Sequence, residues 1–156
     1  AGADIIILET FTDIGELKSA VMAVSDLGMP FICNISLHEN IRTVTGSDPF
    51  VFATTLLPFK PLALGLNCCS YQESIGQAIG MIRSISDIPI LAEPNAGMPK
   101  FIDNKRVFPV TSERFVEITR DNIIAGANMV GGCCGTNVDH IAAVIKEFKG
   151  TEVKTV

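Results

Sequence analysis

Charge is scarce in this chain. Only 19% of its 156 residues are charged, and the formal net charge is −5. With 47% of residues hydrophobic, so little charge excludes intrinsic disorder. There is no basic excess, the isoelectric point being near 4.9, and that argues against nucleic acid as a partner. No run of about 18 apolar residues occurs, so a transmembrane helix is excluded. The opening AGADIIILET has no basic stretch before its apolar run, so no signal peptide is expected. Linkers and low-complexity segments are also missing. Five cysteines are too odd a number for a disulfide scaffold in a chain of this length. Four of them form adjacent pairs, Cys68–Cys69 and Cys133–Cys134, which points to reduced thiols or a metal and so to the cytoplasm.

What is present is alternation. Apolar, β-branched runs at 4–8, 30–37, 62–67, 89–92 and 127–130 read as strands. Each is followed by a helical pattern. Asp13 with Glu16 opens the first helix, and Gly28 closes it. Asp48-Pro49 opens the second, which ends before Pro58. The third covers about 70–84, with Ile75, Ile79 and Ile82 inward. Residues 93–110 read as a long loop. Thr111 caps a helix that Gly126 ends, and Thr136 with Asp139 opens the last helix, to about Phe148. Strands alternating with helices imply an α/β fold with a parallel sheet and right-handed crossovers, its strands buried on both faces. The chain also opens on AGAD, which echoes AGAN at 125–128 and reads as a helix tail, so an N-terminal part of the fold is expected to be missing.

Function in such folds lies at the carboxyl ends of the strands. Those ends carry Glu9, then Asn34, Ser36 and His38, then Asn67, Cys68 and Cys69. Next come Glu93 and Asn95, and finally GGCCGT at 131–136. Cys68, Cys133 and Cys134 are candidate zinc ligands, with a fourth position open for a substrate thiol. The implied reaction is alkyl transfer to sulfur. Two rivals stand beside it. Gly131, Gly132 and Gly135 could form a backbone phosphate site of a barrel enzyme. Alternatively, the cysteines could staple or redox-tune a domain with no enzymatic role. Glu9 faces a substrate amine or caps a loop, and Asn67 and Asn95 bind substrate or hold turns. Cys33 reads as a small core residue and Cys69 as a bystander. His38 and His140 are expected at the surface, with Asp48 and Asp139 at helix starts.

Five segments in order, ETFTD at 9–13, TGSDP at 45–49, GLNC at 65–68, PNAGMP at 94–99 and VGGCCGT at 130–136, resemble the homocysteine S-methyltransferase domain. That domain occurs in cobalamin-dependent methionine synthase, in betaine–homocysteine methyltransferase and in fusions with methylenetetrahydrofolate reductase. The resemblance implies a (β/α)8 TIM barrel of which this chain is the C-terminal portion, about five βα units, strands 4 to 8. Residues 1–150 would be that portion and 151–156 a tail. It further implies a zinc-dependent methyltransferase of methionine biosynthesis. Cys68, Cys133 and Cys134 would bind Zn2+, Glu9 the substrate amino group, and Asn67 is a further substrate-binding candidate. The methyl donor would be of the methylcobalamin, methyltetrahydrofolate, S-methylmethionine or betaine type, with cobalamin and folate bound by other domains. The family usually has Ser or Ala where this chain has Cys69.

Overall fold

The structure, a computed structural model, describes residues 2–70 and 72–150; the side chains of residues 72 and 73 and the expected tail at 151–156 lie outside the described residues. Its elements are β1 (Ile6–Phe11), α1 (Ile14–Asp26), β2 (Phe31–Ile35), α2 (Pro49–Leu56), β3 (Ala63–Asn67), α3 (Gln72–Arg83) and β4 (Ile90–Glu93). Then follow β5 (Lys100–Ile102), β6 (Lys105–Val107), α4 (Ser112–Ala125), β7 (Met129–Val130) and α5 (Val138–Phe148). β1, β2, β3, β4 and β7 form one parallel sheet in that order, each strand beside the next βα unit.

Local chemistry explains the helix boundaries. Asp13 accepts from the Glu16 amide at 2.8 Å and Asp48 from the Val51 amide at 3.0 Å. Thr111 does the same for Arg114, and Gly126 ends α4 at φ +116°. Each cap satisfies an amide that the helix itself cannot. Pro58 falls in a short 3-10 turn after α2, because it lacks the N–H that would continue the helix. α5 corrects the expectation for Thr136: the cap is Asn137, whose side chain accepts from the amides of Asp139 and His140. His140 is correspondingly buried, not at the surface. Its Nδ1 accepts from the Asn137 amide and its Nε2 donates to the Val110 carbonyl, with the ring edge-on to Phe115.

The long loop at 93–110 holds a structure of its own. β5 and β6 pair antiparallel across Asp103-Asn104, both of which have positive φ, as a two-residue hairpin turn demands.

The main core lies on one face of the sheet. Cys33, Ile35, Leu64, Leu66, Ile90 and Ala92 meet Leu17, Val21, Phe52, Leu56, Ile75 and Ile79 of α1, α2 and α3. Each fully buried large side chain contributes about 1.5–3 kcal/mol. On the opposite face β2 and β3 are buried as well, as expected of strands apolar on both faces, and only β1 is open there. That face carries a small cluster of Ile32, Ala63 and Leu91 with Met129, while Ile7 of β1 stays exposed. Since strand residues alternate, Asn34, Gly65, Asn67 and Glu93 also fall on this second face, at its carboxyl end.

Candidate metal centre

Two strand ends build the centre. Cys68 follows β3 directly, and Cys133 and Cys134 follow β7 in the glycine-rich turn. Folding brings their three sulfurs within 4.8 Å of one another, with Cys68 Sγ 3.6 Å from Cys134 Sγ. A tetrahedral metal with metal–sulfur bonds of about 2.3 Å separates its ligand sulfurs by about 3.8 Å, so the spacing fits one ion. Burial, then the thiols of Cys134 and Cys133, push Cys68 up to about 12. Burial also raises Cys133.

Backbone bonds hold the turn in place. The Cys133 amide donates to the Pro94 carbonyl at 2.9 Å, and the Ala96 amide to the Cys134 carbonyl at 2.8 Å. Asn95 ties both cysteine loops together: its Nδ2 donates to the Cys69 carbonyl and its Oδ1 accepts from the Cys134 amide. Thr136 turns its hydroxyl onto the Cys133 carbonyl. Cys68 itself has φ +54°, a left-handed conformation that costs a non-glycine residue energy and is characteristic of functional sites. Its carbonyl is held by the Ser36 hydroxyl.

These bonds engage the Gly131 amide of the phosphate reading and several amides around it. The amides of Gly131, Cys133 and Thr136 donate to the carbonyls of Ala92, Pro94 and Cys133. That of Cys134 donates to Asn95, and the first amides of α5 are capped by Asn137. An anion cradle needs such donors free.

Asn67 is fully buried beside the trio. Its Oδ1 accepts from the Thr10 amide at 2.9 Å, and its Nδ2 donates to Thr10 Oγ1 at 2.7 Å. The same Nδ2 lies 3.4 Å from Glu9 Oε2 and 3.8 Å from Cys133 Sγ. Thr10 sits at φ +62°, where the β1–β2 register slips, and Asn67 clamps it there. The structure therefore brings Glu9, Asn67, Cys68, Cys133 and Cys134 together. Cys33 and Cys69 are buried and outside the trio, each pushed up to about 12 chiefly by burial. His38 is exposed.

Sequence reasoning gave Glu93 no role. Its Oε2 accepts from Asn34 Nδ2 at 2.8 Å across β3, which Gly65 permits: a Cβ there would lie 2.0 Å from Asn34 Oδ1. Burial, then the nearby Glu9 charge, raises the Glu93 pKa, while Asn34 opposes the rise. The available signal was its place at the end of β4, in line with Asn67 at the end of β3. The hairpin was likewise signalled only by Asp103-Asn104 between KFI and KRV.

The family model described as homocysteine S-methyltransferase matches residues 1–148. A methionine synthase of Mycobacterium leprae is 28% identical over 150 residues, covering 92% of this chain and 12% of its own length. Crystal structures of the homocysteine methyltransferase MmuM from Escherichia coli share the fold. The apo form has a TM-score of 0.76 at 21% identity, covering 93% of this chain and 49% of that one. The metallated form has a TM-score of 0.77 at 21% identity, covering 94% and 46%. The chain thus spans about an eighth of the synthase and about half of each MmuM chain.

Proposed function

The chain belongs to the homocysteine S-methyltransferase family, and from that membership we propose that Cys68, Cys133 and Cys134 hold one zinc ion at which homocysteine is methylated to methionine. The observation that carries this reading is the convergence of three sulfurs, within 4.8 Å, from loops far apart in sequence. A zinc ion bound by three thiolates lowers the pKa of a fourth, substrate thiol and leaves it nucleophilic.

The chain's own residues bind and orient. Glu9 takes the substrate ammonium. Asn67 is the positioning residue, because one amide nitrogen reaches both Glu9 and Cys133 and so fixes the distance between the amine end and the sulfur end. Asn95 keeps the two cysteine loops in register. The substrate sulfur then forms a bond to the methyl carbon as the methyl leaves its donor. No general base is required once that sulfur is a thiolate.

The same reading makes residues 1–150 the C-terminal portion of one (β/α)8 barrel, its strands counting as the fourth to eighth. Its support is that β1 and β7 each have a single neighbour among the described residues and that apolar Ile7 lies exposed on β1. No helix among the described residues is long and apolar enough to cross a membrane.

The test is zinc content under reducing conditions, beside methylation of homocysteine with methylcobalamin, the donor that likeness to a methionine synthase puts first. About one zinc per chain is expected, lost together with turnover in Cys133→Ser. A folded chain without zinc, or normal turnover in that variant, overturns the reading.

A further inference from the structure

A cavity of about 230 Å³ opens beside the thiols, with Cys68, Cys134, Met98, Arg106 and Phe108 among the residues that line it. Among the described residues, Arg106 is the only charged group lining it. Arg106 also enters none of the ion pairs among those residues, which join Arg42 to Asp48, Arg114 to Glu117 and Arg120 to Glu147.

Its place is built. Arg106 lies on β6, opposite Phe101 of β5. Two residues on, the Phe108 ring occupies the space where a Cβ on Gly135 would be, 2.1 Å from the ring carbon Cγ. Beyond it the Val110 amide donates to Ala96, and the Val110 carbonyl accepts from buried His140. The hairpin is thereby seated on the cysteine turn, and Arg106 lines the cavity beside it.

Charged groups of both signs lie near the centre. Glu9 meets the amide that reaches Cys133, and Glu93 lies near Glu9. Arg106 stands by Cys68 and Cys134. Carboxylates and a guanidinium near the same thiols suit a zwitterion or a pair of oppositely charged ligands.

We propose that this cavity is a carboxylate site, in which Arg106 binds a carboxylate of a molecule that reacts at the thiols. Guanidinium and carboxylate match as a two-toothed pair. Two sources share that chemistry: the α-carboxylate of the amino-acid thiol, and a carboxylate on the second substrate. The assignment rests on the methyl-transfer reading for the identity of the thiol, but not for the existence of the anion site.

Two measurements on wild type and Arg106→Met decide it. The first is calorimetric titration of the zinc-loaded protein with homocysteine and with 3-aminopropanethiol, which lacks only the carboxylate. The second is the ratio of iodoacetate to iodoacetamide alkylation at Cys134 in the reduced, metal-free protein, mapped by mass spectrometry. A carboxylate from the amino acid makes wild type prefer homocysteine by about tenfold, a preference Arg106→Met abolishes. A carboxylate from the second substrate leaves both thiols unchanged while the iodoacetate ratio drops severalfold in Arg106→Met. No change in either measurement overturns the site. A zinc-loaded protein that binds neither thiol overturns the methyl-transfer reading, and the alkylation ratio then still decides the carboxylate site.

Discussion

The ring of Phe108 lies against Gly135, filling the space that any larger residue at 135 would need. This one contact docks the hairpin on the cysteine turn. Gly135 is also at φ +80°, a left-handed conformation that glycine adopts readily. Gly135→Ala is therefore expected to destabilise the fold by about 1–3 kcal/mol and to weaken metal binding. Adding Phe108→Ala should relieve the steric part alone. A double-mutant cycle by urea denaturation checks this, and additive effects would show that the two residues do not touch in solution.

The metal should depend on which cysteines converge, not on how many there are. Cys33 and Cys69 lie in the core, outside the trio. Cys69→Ala is expected to keep full metal stoichiometry while losing about 1 kcal/mol of stability to lost packing. Elemental analysis of Cys69→Ala beside Cys134→Ser separates the two cases. Metal lost equally from both would refute the assignment of Cys69 as a bystander.

Asn67 has no substitute for its two-ended amide. Asn67→Ala leaves Thr10 at its positive φ without its clamp and Glu9 without a shared donor. A loss of about 1–3 kcal/mol of stability is expected from the orphaned buried groups. Homocysteine binding should weaken more than metal binding, because the ligand sulfurs keep their own backbone supports. Calorimetry with each in turn measures the split.

Glu93 should make stability depend on pH in an unusual direction for a carboxylate. Its pKa is raised in the folded state by burial first and by Glu9 second. The folded state therefore holds this proton more tightly than the unfolded chain does. The associated stability is complete below the unfolded pKa and is lost as pH rises through the folded one. Glu93→Gln keeps an acceptor for Asn34 and removes the titration. Its stability relative to wild type is thus expected to improve between pH 4 and pH 7, and denaturation curves at the two pH values test the sign.

Much of this was legible because it is local. The caps at Asp13, Asp48 and Thr111, the stop at Gly126 and the β-branched runs each act within a few residues of themselves. Parallel pairing follows from the βα alternation, so Cys68, Cys133 and Cys134 could be placed on one rim without coordinates. Locality also explains the misreadings. Thr136 and Asn137 are both good caps, and the choice between them went to Asn137 because His140 is held inside by Val110 and Phe115, remote contacts invisible in the turn itself. Burial on both faces holds for β2 and β3 but not for β1, which has a single neighbour among the described residues.

Composition and order along the chain thus determined a parallel α/β fold, the rim on which the chemistry sits and the cysteines that converge there. Tertiary structure alone decided that Asn67 joins Glu9 to Cys133, that Asn34 reaches Glu93 over Gly65, and that a hairpin carries Arg106 to the cavity. The reason is register. Contacts across neighbouring strands change face with a single residue of slip, and only the packed core sets that alignment.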